Sequence, residues 1–234
     1  MTSNLSILCT RPVKQELADE AREKGIQLEV VSLIDTEPVL DIDVQQEVAQ
    51  IALQYATVVF TSMNAVESVI TMLDQQVPEW NIYCMGHTTA QIIRDYFGEQ
   101  AIAGTGSSAA DLADAIIEAD ETDEVVFFCG DQRRDELPGK LTETGIDVNE
   151  VVVYRTIPLH KKIEKQYNAI LFFSPSAVDS YFTLNKPAES TVLFAIGHTT
   201  AAAIKKYSNN KTITANTPGK DELVRKAISY LGEL

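Results

Sequence analysis

Cysteine, tryptophan and basic side chains are scarce in this chain of 234 residues. Its three cysteines, Cys9, Cys84 and Cys129, fall in separate apolar runs with no CxxC pair. That spacing argues against a disulfide framework and predicts reduced, buried thiols in a cytoplasmic protein. No run nears the ~18 apolar residues of a membrane span. The start, MTSNLSILCTRP, meets Arg11 too soon for a secretory leader, which also disfavours a periplasmic binding protein. With 19 basic against 34 acidic side chains, a general nucleic-acid binder is not expected. GxxxxGK[ST] and GxSxG are absent, so neither a P-loop nor a nucleophile elbow has a signature. The 45% hydrophobic and 23% charged content nevertheless suits an ordinary globular chain, with material for one large or two small domains.

Short β-rich runs alternate with segments of helical period. Strands are expected at 5–10, 27–33, 57–62, 81–86, 124–130, 148–154, 169–174 and 191–197, with weaker ones at 101–103 and 212–215. Helices are expected at 13–24, 43–55, 64–75, 88–97, 107–119, 134–144, 176–184, 199–207 and 220–231. Continuous apolar strands between amphipathic helices predict α/β architecture, with parallel sheets covered on both faces.

The chain repeats itself. GHTTA occurs at 86–90 and again at 197–201, and VVFTSMNAVES (58–68) resembles ILFFSPSAVDS (170–180). The next unit, VFFCGDQRRDEL, finds its partner at the N-terminus, where Cys129, Glu136, Leu137 and Gly145 match Cys9, Glu16, Leu17 and Gly25 at an offset of 120. Two similar α/β domains follow, one inserted in the other: 1–34 with 159–234, and 40–152. Segments 35–39 and 153–158 are expected as linkers, stiffened by Pro38 and Pro158. Domains joined by two short crossings can hinge, which makes a cleft between them the default ligand site. Charge splits along the boundary: 40–152 carries 21 acidic and 4 basic residues, the remainder 13 and 15. An anionic ligand should therefore draw most of its cationic contacts from the first domain. The run EADETDE at 118–124 reads as a solvated helix end.

Several strand-to-helix junctions are rich in Ser and Thr: Thr61-Ser62-Met63-Asn64, Gly86-His87-Thr88-Thr89, Ser174-Pro175-Ser176 and Gly197-His198-Thr199-Thr200. Helix capping accounts for such residues, and so does binding of carboxylates or phosphates at helix N-termini. Gly104-Thr-Gly-Ser-Ser-Ala109 fits GxGxxA, but its strand is short and its repeat counterpart, 215–220, lacks the pattern, so a nicotinamide or flavin oxidoreductase is a distant rival. His87 and His198 sit at equivalent positions without neighbours at metal-ligand spacing, and His160 reads as a loop residue.

Over nearly its whole length the sequence resembles the uroporphyrinogen-III synthases. The match is carried by Thr10-Arg11-Pro12, VVFTSMNAV (58–66), GHTTA (86–90), VVFFCGDQRRDELPGKLTETGIDVNEVVVYRT (125–156), FFSPSAV (172–178) and AIGHTTA (195–201). The resemblance implies cyclisation of hydroxymethylbilane, a linear tetrapyrrole with eight carboxylates, to uroporphyrinogen III, with inversion of ring D and loss of water in heme biosynthesis. It implies no metal or organic cofactor and suggests a transient hand-over of substrate from hydroxymethylbilane synthase; charge and run length already speak against nucleic-acid and membrane partners, and with no oligomer signal in the sequence a monomer is the default. By the same matching, Tyr154 is the catalytic candidate, its phenol bonding the departing hydroxyl; a linker tyrosine packed between domains is the other reading. Substrate-binding candidates are Thr61, Ser62, Asn64, Gly86, Thr88 and Thr89 in the inserted domain, and Ser174, Ser176, Gly197, Thr199 and Thr200 in the other. Arg11 either meets a carboxylate or serves as a surface cap or salt bridge. The acidity of 40–152 should repel eight carboxylates while favouring a developing cation. A non-catalytic module that binds a polycarboxylate or tetrapyrrole is the alternative function.

Overall fold

A computed structural model describes residues 5–215 and 219–233. The outermost ends assigned to the first domain, and residues 216–218 of the stretch compared with the GxGxxA segment, lie outside the described residues. In chain order the elements are β1 (Leu5–Cys9), α1 (Gln15–Glu23), β2 (Ile26–Val30), β3 (Ile34–Pro38), α2 (Ile42–Ala52), β4 (Ala56–Phe60) and α3 (Met63–Met72). There follow β5 (Trp80–Met85), α4 (His87–Phe97), β6 (Ile102–Gly106), α5 (Ala109–Ala119), β7 (Glu124–Gly130), α6 (Glu136–Glu143) and β8 (Asp147–Pro158). The chain finishes with β9 (Ala169–Phe172), α7 (Pro175–Leu184), β10 (Val192–Ala195), α8 (His198–Lys205), β11 (Thr212–Thr214) and α9 (Lys220–Gly232). Two compact units result: Met1–Asp35 with Ile157–Leu234, and Thr36–Thr156.

Unit 1 is built on a sheet ordered β11-β10-β9-β1-β2, with parallel pairing throughout. Unit 2 is built on β3-β8-β7-β4-β5-β6, parallel from β8 to β6. Laid side by side, β11-β10-β9-β1-β2 and β6-β5-β4-β7-β8 are one order reached from two starting strands. That is the three-dimensional form of the sequence offsets.

Central strands are buried on both faces and therefore read as unbroken apolar runs. AILF of β9 and VLFA of β10 are wholly buried, and so is VVF within β4. Successive residues point to opposite faces, so Ile7 and Cys9 join one core layer of unit 1 and Leu8 the other. In unit 2, Phe60, Trp80 and Phe128 fill one layer, with the Phe60 and Phe128 rings stacked at 5.3 Å. Val59, Tyr83 and Phe127 belong to the other layer. Burying each such large side chain contributes about 1.5–3 kcal/mol. Edge strands β3, β6 and β11 are short and only partly covered, which limits their use as templates for another chain.

Two segments differ in local structure from expectation. The chain passes between the units within 35–39 and 153–158, at Asp35/Thr36 and Thr156/Ile157, but it does so as strand: the first segment lies largely in β3, and the second completes the twelve-residue β8. The β-branched run Val151, Val152, Val153, Thr156, Ile157 carries β8 past the expected boundary, and Pro38 is tolerated because it closes an edge strand. Strand β6 is also longer than expected, since Gly104 and Gly106 fit a sheet whose neighbours leave no room for a Cβ: one at Gly104 would meet the Tyr83 ring at 2.7 Å, one at Gly106 the Leu112 backbone at 2.5 Å.

Candidate active site

In an open parallel sheet, ligands gather at the carboxyl ends of the strands, where the strand order reverses. In unit 1 that point lies between β1, which leads outward to β2, and β9, which leads the other way to β10 and β11. In unit 2 it lies between β7 and β4. The candidate residues lie at these two points or one strand beyond them.

In unit 2, Ser62 ends the β4 connection and caps α3, its Oγ accepting the Asn64 N–H at 3.2 Å. The same oxygen accepts a hydrogen bond from the Tyr154 hydroxyl at 3.3 Å. Tyr154 belongs to β8, where its carbonyl accepts the Asp131 N–H at 3.1 Å, while the Asp131 carboxylate accepts the Thr156 N–H at 2.9 Å. The phenol thus reaches across β7 to the head of α3. It can do so because Gly130 lies beneath the ring: a Cβ there would stand 2.3 Å from Tyr154 Cζ. A register shift between Cys129 and Gly130 aligns the glycine with the tyrosine. Gly86 caps α4 at φ +92°, a conformation that favours glycine, and offers no side-chain acceptor. Thr61 and Asn64 are half-buried, Thr88 is exposed and Thr89 is buried.

Unit 1 repeats the plan. Ser174 corresponds to Ser62 and caps α7, accepting the Ala177 N–H at 3.2 Å, with Pro175 opening the helix and Ser176 half-buried behind it. Gly197 heads α8, again without a side-chain cap; Thr199 is exposed and Thr200 buried. First-turn N–H groups have no acceptor within their own helix, and a glycine cap leaves that demand to solvent or ligand. Arg11 follows β1, with its guanidinium carbon 6.0 Å from the Phe173 ring centroid. It forms no ion pair among the described residues, and burial lowers its pKa.

The expected residues therefore group by unit: Tyr154, Ser62, Thr61 and Asn64 around one switch point, and Arg11, Ser174 and Ser176 around the other. Gly86, Thr88 and Thr89, like Gly197, Thr199 and Thr200, stand one strand further out. Gly130 escaped the sequence reading, although the offset of 120 aligns it with Thr10 and so marked the position. His87 and His198 open α4 and α8 on the surface, and His160 is an exposed loop residue. The GxGxxA segment lies at an edge strand. There Ser108 caps α5, and Ser107 bonds Asp111, a carboxylate in the first turn whose charge disfavours a phosphate at that helix head. A cavity of about 480 Å³ in unit 2, lined by Glu47, Tyr55, Thr57, Glu121 and Glu124, opens at the amino ends of the strands and contains none of the candidates. Among the described residues, no group of three or more His, Cys, Asp or Glu is placed to hold a metal ion, and no helix is long and apolar enough to cross a membrane.

A relative from Saccharomyces cerevisiae, uroporphyrinogen-III synthase, is 29% identical over 198 residues, covering 68% of this chain and 69% of the relative. The crystal structure of uroporphyrinogen-III synthetase from Helicobacter pylori superposes with a TM-score of 0.66 at 18% identity, over 97% of this chain and 99% of that one. A mutant uroporphyrinogen III synthase from Thermus thermophilus gives 0.58 at 13% identity, over 97% of each chain. At such identities these two structures share the fold. The model of the family described as uroporphyrinogen-III synthase HemD matches residues 15–225, nearly the whole sequence, and the chain belongs to that family.

Proposed function

We propose that this chain is a working uroporphyrinogen-III synthase, closing hydroxymethylbilane to uroporphyrinogen III with inversion of ring D and loss of water. The observation that carries the reading is the family match across residues 15–225, on a sequence that carries Tyr154 and Ser/Thr-rich helix heads. The bilane closes unaided to the wrong isomer, so the protein's task is to fold it, orient ring D and delay premature closure. Acetate and propionate arms suit the N–H groups at the heads of α3, α4, α7 and α8, with Thr61, Asn64, Thr88, Thr89, Ser176, Thr199 and Thr200 beside them. As the terminal hydroxyl leaves, it takes a proton or a strong hydrogen bond, and an azafulvenium-like cation develops. In this reading Tyr154 donates that bond. Its support is geometric: Ser62 and Gly130 hold the phenol at a switch point, and the acid-rich unit around it favours a cation. A monomer receiving bilane from hydroxymethylbilane synthase in the cytoplasm completes the picture, and three buried, free thiols suit a reducing compartment.

The test generates hydroxymethylbilane in situ, adds the protein, oxidises the products and separates porphyrin isomers. Predominantly isomer III is expected. Isomer I alone, with tetrapyrrole binding intact, would make the chain a binding module and refute the catalytic reading.

A further inference from the structure

Arg11 and Lys220 are two cations of unit 1 that form no ion pair among the described residues. Arg11 is anchored beside β9, because the preceding Thr10 donates both its N–H and its hydroxyl to the Leu171 carbonyl, at 3.2 and 2.8 Å. Its Nε is shut off from solvent and has no hydrogen-bond partner. Lys220 opens α9, which packs on β9 and β10. The Lys14–Asp221 pair ties the segment after Arg11 to the head of α9; much of the Lys220 surface remains exposed, yet burial of the ammonium and the Arg11 charge lower its pKa, against a smaller opposite effect of Asp221. Neither residue forms an ion pair among the described residues; the adjacent Asp221 is engaged by Lys14 at 2.6 Å. Unpaired, partly desolvated like charges held together are costly, and an anion between them removes the cost.

The repeat sharpens the point. At the offset of 120, Asp131 stands where unit 1 has Arg11, and its carboxylate is held by the Thr156 N–H. The neighbouring Arg133 is already paired with Asp135 and Glu150. One copy of the site thus attracts an anion where the other repels it.

We propose that Arg11 and Lys220 together grip one carboxylate arm of the tetrapyrrole at the β1/β9 switch point, making Lys220 a specificity-determining residue. This deepens the functional reading above and rests on it. A charge-assisted bond to an arm held equally in ground and transition states lowers KM without altering kcat.

The experiment compares the intact chain with Lys220→Gln, Lys220→Arg, Arg11→Gln and the exposed control Lys205→Gln. KM and kcat are measured with bilane generated in situ, and uroporphyrin III, which keeps all eight carboxylates, is titrated by fluorescence. Lys220→Gln should raise KM and the uroporphyrin Kd about tenfold or more, with kcat and the isomer III fraction retained. Lys220→Arg should restore most of the affinity, and Lys205→Gln should change nothing. Lys220→Gln should also melt no lower than the parent, which a merely structural lysine would not allow. An unchanged KM and Kd, a loss in kcat alone, or an equal loss in Lys205→Gln would overturn the proposal. Should the parent yield only isomer I, the catalytic reading falls while the uroporphyrin titration still decides the anion site.

Discussion

Gly130→Ala tests the placement of Tyr154 without removing its phenol. The new Cβ would stand 2.3 Å from Cζ, 2.6 Å from Cε2 and 2.7 Å from the hydroxyl oxygen of Tyr154. Non-bonded carbons rest at about 3.5–4.0 Å, so the ring must retreat by more than about 1 Å. Its hydrogen bond to Ser62 is already 3.3 Å and will not survive that movement. The displaced atoms belong to the outer end of one side chain, so the fold can yield at a rotamer cost of about 0.5–1.5 kcal/mol. A misplacement of about 1 Å at a reacting group costs about a hundredfold in rate, or about 2.7 kcal/mol of barrier. In the isomer assay Gly130→Ala should therefore lose kcat about as Tyr154→Phe does, with uroporphyrin binding and secondary structure kept. The double variant should be little worse than Tyr154→Phe alone, since both changes remove one interaction. Full activity in Gly130→Ala would show that the phenol's position does not matter. Multiplicative losses in the double variant would show that the two residues act separately.

Other expectations concern stability and reactivity. Gly86→Ala should lower Tm by roughly 2–8 °C because φ is +92° there. Gly197→Ala, at φ −169° with open space around it, should stay within about 0.5 kcal/mol of the parent; calorimetry of the pair checks both, and equal melting temperatures would refute the distinction. Hydrogen bonds from Lys165 and Tyr167 hold the Glu29 carboxyl below its ordinary range. Its contribution is present above the unfolded value of about 4.3 and is lost as pH falls through the lower folded value, so urea titrations should show Glu29→Gln flattening the acid limb. Burial pushes the Cys9 thiol up to about 12 and Cys129 to about 11, and also raises Cys84. Iodoacetamide at pH 8 should modify all three only in denaturant, and mass spectrometry showing rapid labelling of the folded chain would refute that burial.

The α/β class and helix positions were legible because buried strands and amphipathic helices write different periods into the chain. The correspondence between strands of the two units was legible through the paired motifs, since Ser62 and Ser174 or Gly86 and Gly197 can be equivalent only if their strands are. The strand character of 35–39 was hidden: DTEPV is polar and contains a proline, both tolerable at an edge and both contrary to strand preference. Gly130 was hidden because a glycine announces room for something without saying what, and only the fold brings the Tyr154 ring there. Lys220 carries no motif; its interest lies in proximity to Arg11, a residue more than two hundred positions away in the chain.

The pairing of β3 with β8 bears on how the polypeptide is made. Unit 1 cannot finish its sheet until β9 emerges from the ribosome, because Ile7 pairs with Ala169. An open loop of that length would slow closure through its entropy. Unit 2 is continuous in sequence and can complete itself first. Once it has, the Val39 N–H bonds the Val153 carbonyl at 2.9 Å, and the two ends of the insertion lie side by side. The growing chain then meets a short effective tether where the sequence shows a long one, so order of synthesis compensates for the interrupted domain.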